Sequence, residues 1–101
     1  MSTALTFATG RREDGAVVLA ATGEIDMSNA AVLTSALTDA RQSADGLLVL
    51  DLTGVEYIDS AGLAAVFTHV DHLRLLATPL LAPVLTVAGL DDITTIQDPG
   101  V

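Results

Sequence analysis

Cysteine is absent, so neither a disulfide nor a thiolate nucleophile is available, and the redox compartment leaves no mark on the chain. Tryptophan is absent too, and only 3% of the residues are aromatic while 50% are hydrophobic, so a core must be built from Val, Leu, Ile and Ala. Basic residues are scarce: four Lys plus Arg against 13 Asp plus Glu give a formal charge of −9. A field of that sign repels phosphate backbones and anionic lipid, so no direct nucleic-acid binding is expected, and a protein partner carrying basic residues is the natural complement. No apolar run approaches the roughly 20 residues needed to span a bilayer, and MSTALTFATGRRE has no basic-then-apolar leader pattern. The expectation is a cytoplasmic protein without membrane insertion. No Gly-rich phosphate loop occurs, and no cofactor is implied.

A length of 101 residues fits one domain, 1–101, and is too short for two separate cores. Residues 4–8 and 16–22 are short apolar runs joined by a polar stretch with Gly10 and Gly15 at its ends, the pattern of a hairpin. In the segment that follows, Val32, Leu33, Ala36, Leu37 and Ala40 recur at helical spacing, with Ser28 or Asn29 as the N-cap. Leu47–Leu50 reads as a central strand that Thr53-Gly54 interrupts before Val55–Ile58 resumes. A second helix starts at Ser60, and its 100° projection puts Leu63, Val66, Phe67, Val70 and Arg74 on one side, with Ala65, Thr68, His69 and His72 on the other.

Residues 74–78 fit a short strand, residues 79–88 a third helix closed by Gly89, and residues 93–96 an edge strand. Pro83 inside the third helix predicts a kink, or a start delayed until that residue. The order β-β-α-β-α-β-α-β predicts an α/β fold, a mixed four- to five-stranded sheet with helices packed on it.

The junction Asp59-Ser60-Ala61-Gly62-Leu63 raises a chemical question. A Ser opening a helix lies beside unpaired backbone N–H groups where the macrodipole is positive by about half a charge, a setting that accepts an anion such as a phosphate. The plainer alternative is that Ser60 only caps the helix. Gly62 in the first turn costs about 1 kcal/mol relative to Ala, which suggests that something approaches the backbone there.

The segments LLVLDLTGVEYIDSAGLAAV and ATGEIDMSNAAVL, with VAGLDDI near the end, resemble the STAS domain family, and specifically its single-domain bacterial anti-sigma factor antagonists. The resemblance implies partner switching. Such a protein binds an anti-sigma factor, a serine kinase with the histidine-kinase ATPase fold, and so frees a sigma factor. Phosphorylation of the Ser in D-S-x-G-L, here Ser60, switches it off, and a serine phosphatase restores it. The resemblance makes Asp59 and Asp26 neighbours of the phosphoacceptor, with Glu24, Ile25, Ala61, Gly62 and Leu63 completing the expected partner-binding surface.

Several features depart from the pattern or stand outside it. The connection after the second helix is several residues shorter than in many relatives. Leu80–Val87 carries no charge; burial is the expected reason, with an exposed apolar patch for self-association or a second partner as the alternative. His69 and His72 read as a solvent-exposed pair rather than metal ligands, and Asp91, Asp92 and Asp98 as loop and tail. Glu24, Asp26, Asp51, Glu56 and Asp59 read as an acidic rim at one end of the sheet, with acid–base or Mg²⁺ chemistry as the minor alternative. Ser60 lies in no G-x-S-x-G elbow, so a hydrolase is not indicated. Two other readings remain open: a STAS subunit of a membrane transporter or stress-sensing assembly, and an enzyme built on the carboxylates. Oligomeric state is not legible.

Overall fold

The computed structural model describes residues 4–44, 46–90 and 92–95. Along the chain run β1 (Thr6–Arg11), β2 (Val17–Ile25), α1 (Ala30–Ser43), β3 (Leu48–Ile58), α2 (Ser60–Phe67), β4 (Leu73–Ala77), α3 (Ala82–Val87) and β5 (Ile93–Thr95), with a 3-10 turn at Val70–His72. The strands form one mixed sheet in the order β1-β2-β3-β4-β5. β1 is antiparallel to β2, and every later pair is parallel. Each parallel pair is joined through a helix, and the steps all run the same way across the sheet. Right-handed crossovers therefore place α1, α2 and α3 on one face.

Burial follows that arrangement. Val17, Leu19 and Ala21 are buried while Val18 and Ala20 are half-buried and Thr22 is exposed; Leu73, Leu75 and Ala77 are buried while Arg74 is exposed. Beneath the helices, Leu33 and Leu37 of α1, Val66 of α2 and Leu85 of α3 are fully enclosed with Leu50 and Leu52 of β3.

Local chemistry shifts several boundaries from those expected. β1 runs to Arg11 because antiparallel pairing carries Thr9, Gly10 and Arg11 opposite Leu19, Val18 and Val17. The turn that remains is tight, with Gly15 at φ 89° donating to the Arg12 carbonyl at 2.9 Å. Thr53-Gly54 does not end a strand: β3 is continuous, and the interruption is an irregularity in its pairing with β2, where Thr22 faces Gly54 and Gly23 faces Val55. α3 begins just before Pro83, and a turn closed by the Thr78 carbonyl precedes it. Gly89, at φ 93°, and a 3.0 Å bond from the Leu90 amide to the Leu85 carbonyl close it. Ile96, Asp91 and Asp98 lie outside the described residues.

The largest departure is the rotation of α2. Gly62, Ala65 and Val66 face inward, His69 just beyond the helix is buried, Leu63 is half-buried, and Phe67 is 50% exposed. Small residues at positions 62 and 65 let the helix lie low on the sheet, and its bulkier side chains then overhang the side toward α3. The expected burial of Leu80–Val87 holds only in part: Leu81 and Leu85 are buried, but Leu80 is 81% and Val87 89% exposed, with Val84 at 42%. A helix of only six residues buries little beyond Leu85.

His69 is likewise not an exposed member of a pair. It is 7% exposed, and its Nδ1 lies 3.2 Å from Arg41 Nη1 on α1. Arginine can only donate, so Nδ1 accepts and the ring proton sits on Nε2, which has no partner among the described residues. Burial first, then the positive charges of Arg41 and His72, hold the His69 pKa below its ordinary value.

A group whose folded pKa is depressed binds its proton more readily once unfolded, so stability is full above the unfolded value near pH 6.5 and declines as pH falls below it. Urea denaturation should give a midpoint that drops between roughly pH 7.5 and 5.5, and His69→Phe should flatten that stretch. An unchanged slope in the variant would remove His69 as its cause.

Candidate functional site

The site forms where the C-terminal ends of β2 and β3 meet the beginnings of α1 and α2. Ile25 and Ile58 pair across the two strands, and both are buried. α2 lies directly on them. A Cβ built on Gly62 would stand 2.6 Å from Ile25 Cγ2 and 2.7 Å from Ile58 Cγ1. What approaches the Gly62 backbone is therefore the core and not a ligand. Ile25 and Gly62, expected on a partner-facing surface, are both buried, because this contact seats the helix.

The same contact fixes the direction of Ser60. Residues two apart on a helix point roughly 200° apart, so turning Gly62 inward turns Ser60 outward, and Ser60 is exposed. Leu63, Ala64 and Phe67 share the outward side, with Ala61 half-buried beside it.

Asp59, not Ser60, caps α2. Its Oδ1 accepts from the Gly62 amide at 3.0 Å and its carbonyl from the Leu63 amide at 2.9 Å. Its Oδ2 accepts from the Met27 amide at 3.1 Å, and its own amide donates to the Ile25 carbonyl at 3.1 Å. One half-buried carboxylate thus ties the loop after β2 to the start of α2. The Ser60 hydroxyl is left out of the cap, which removes the reading of Ser60 as a mere capping residue.

Asp26 organises the facing loop. Its Oδ1 accepts from the Ser28 hydroxyl at 2.5 Å and the Ser28 amide at 2.9 Å, while its amide donates to Asn29 Oδ1 at 2.9 Å. Asn29 precedes α1 as expected, but its side chain makes no cap bond; Nδ2 donates instead to the Glu24 carbonyl at 2.9 Å. The Ser28 hydroxyl first, and its amide second, hold the Asp26 carboxyl below its ordinary pKa.

The bond from the Met27 amide to Asp59 brings the Asp26 loop against the Asp59-Ser60 junction, with Glu24 half-buried on β2. The structure does not bring Asp51 there. That residue lies farther down β3, where its Oδ1 accepts from the Thr53 amide at 2.9 Å and hydroxyl at 2.6 Å. Nor does it form a Ser–His pair, since His69 is engaged with Arg41 beyond the other end of α2.

The sequence reading missed two contributors to this surface. Met27 is 82% exposed on the loop that Asp59 holds, and Phe67 extends the Ser60 side of α2 toward exposed Val84 and Val87. An apolar residue directly after G-E-I-D was a usable signal for Met27. Phe67 needed the correct phase of α2.

The model of the family described as Mlab, STAS domain, matches residues 8–97. The chain belongs to the STAS domain family. Among solved structures, an anti-sigma factor antagonist from Mycobacterium paratuberculosis is 26% identical, with TM-score 0.77 over 95% of this chain and 86% of that one. The anti-sigma factor antagonist SpoIIAA in its unphosphorylated form shares the fold at 17% identity and TM-score 0.63, covering 91% of this chain and 90% of its own. An uncharacterised protein with a SpoIIAA-like fold from Shewanella loihica is 14% identical, with TM-score 0.62, 99% of this chain and 90% of that one covered. No curated protein sequence matches significantly. The five-stranded STAS sheet, with its three helices on one face, places the D-S-x-G-L junction at the rim where the parallel strands end. No described helix is long and apolar enough to cross a membrane.

Gly62→Ala tests the seating of α2. Helix propensity alone favours Ala by about 1 kcal/mol. The clash with two β-branched side chains should outweigh it and leave the variant less stable by roughly 1–2 kcal/mol. A variant as stable as the wild type in urea denaturation would show that the contact is easily relaxed.

Proposed function

We infer that this STAS domain is a non-enzymatic anti-sigma factor antagonist, binding a kinase-type anti-sigma factor in the cytoplasm to release a sigma factor, and switched off by phosphorylation of Ser60. The observation that carries the reading is the exposed Ser60 hydroxyl at the first position of α2, spared from capping by Asp59. The 26% identity to an anti-sigma factor antagonist adds to it.

In the switch, Ser60 Oγ attacks the γ-phosphorus of ATP bound to the anti-sigma factor serine kinase. The new O–P bond forms as the bond to ADP breaks, and the hydroxyl proton passes to a base on the kinase. A serine phosphatase returns the hydroxyl by hydrolysis. The amides of Ser60 and Ala61 take no part in the Asp59 cap and lie beside the added phosphate, which favours the helix by about 0.3–1 kcal/mol. Asp59 and Asp26 oppose it by like-charge repulsion, which solvent screens. The fold is therefore retained, and the effect falls on docking, where roughly −1.5 to −2 of added charge meets a partner matched to a hydroxyl.

The docking surface combines Asp26, Glu24 and Met27 with Ser60, Ala61 and Leu63, and continues over Phe67. Asp59, Ile25 and Gly62 support it from beneath. A like-charge clash of a few kcal/mol at such an interface lowers affinity by about 10² to 10³.

A second reading, a stand-alone STAS subunit of a membrane transporter or stress-sensing assembly, draws on the uncharged face of Leu63, Phe67, Val84 and Val87, since permanent interfaces are more apolar than switched ones.

Binding of Ser60→Ala and Ser60→Asp to a kinase-type anti-sigma factor separates the two. Ser60→Ala should bind as wild type, Ser60→Asp should lose about 10² to 10³ in affinity, and kinase with ATP should add one phosphate at Ser60 by mass spectrometry. Equal binding by both variants would end the switching account.

A further inference from the structure

The half of α1 remote from Ser60 borders a second feature. Between β1 and α1 lies a cleft of about 490 Å³, within the range of small-molecule sites. Its floor is Val17 and Leu19, its helix wall Ala36 and Ala40, and its strand wall Phe7 and Arg11. Alanine at both helix positions keeps the space open where a larger side chain would close it. β1 is the sheet's antiparallel edge strand, so no further strand covers that side among the described residues.

The cleft is polarised along its length. In the β1–β2 register Phe7 stands opposite Ala21 and Arg11 opposite Val17, so apolar and cationic ends lie about 13 Å apart. The Arg11 guanidinium meets only neutral carbonyls, that of Gly15 at 3.1 Å and, at a long 3.5 Å, that of Ser43. No carboxylate pairs with it among the described residues, where the ion pair is Arg74 with Asp92. What distinguishes Arg11 from Arg12 and Arg41 is its place on the wall of an apolar trough. Asp39, also on the wall, is exposed.

We propose that this cleft binds a medium-chain acyl carboxylate, its tail laid over Val17 and Leu19 toward Phe7 and its head paired with Arg11. The tail is favoured by desolvation of each methylene against the trough. The head gains charge-assisted bonds from a planar donor fork with N–H groups to spare. Asp39 on the cleft wall, and Glu13 and Asp14, which share a second hollow with Arg11, oppose the head, so direct pairing with the guanidinium must outweigh them; charges more than about 8 Å away are screened at physiological salt.

Titration of isotope-labelled protein with decanoate, below its micelle concentration, tests this by NMR. Saturable shifts should be confined to residues 7–11, 17–19 and 36–43. Decanol should bind about tenfold more weakly, Arg11→Gln should weaken decanoate by a similar factor, and Ala36→Leu should abolish the shifts. If Ala36→Leu fails to fold, Arg11→Gln at its exposed position decides alone. Absence of saturation, equal binding of decanol, indifference to Arg11→Gln, or shifts centred on Leu63, Phe67 and Val84 would each overturn the proposal. None of these outcomes depends on phosphorylation of Ser60.

Discussion

The contact between the first turn of α2 and the paired ends of β2 and β3 governs the rest of the molecule. Ile25 and Ile58 rise from neighbouring parallel strands, and only a residue without a Cβ fits above them. That constraint sets the height of α2 over the sheet and its rotation. Rotation in turn sends Ser60 to solvent and carries Phe67 out of the core. A glycine that weakens the helix as an isolated element thus determines the surface the helix presents.

Around that contact the carboxylates act as connectors before they act as charges. Asp59 spends both of its oxygens on backbone amides from two segments, and Asp26 draws its own loop tight through Ser28. Both loops are consequently held in place ahead of any partner, which lowers the ordering cost of docking. In the proposed switch, a phosphate on Ser60 would enter a prearranged acidic margin and alter recognition without remaking the fold.

Two uncovered regions flank this frame for different reasons. The α2–α3 side is apolar because α3 is too short to bury more than one of its side chains and α2 carries Leu63 and Phe67 toward it. The β1–α1 cleft is open because alanines line the helix above an edge strand. The first continues the Ser60 surface. The second stands at the other end of α1 and carries a cation where the chain as a whole is acidic.

By itself, the sequence determined the order of elements, the mixed sheet and the candidate serine, because hydrophobic periodicity, glycine and proline punctuation and the D-S-A-G-L junction are local signals that survive in any fold containing them. Tertiary structure decided the phase of α2, the burial of His69, the exposure of Leu80, Val84 and Val87, and the removal of Ile25 and Gly62 from the partner-facing set. A helical projection ranks side chains by bulk, whereas packing on a sheet rewards close approach, and the small residues at positions 62 and 65 prevailed over Leu63 and Phe67. Asp51 and Asp59 look alike in the sequence, yet only the meeting of two strand ends with a helix start gives one of them two amides to hold, and pairings between distant segments exist only once the chain has folded.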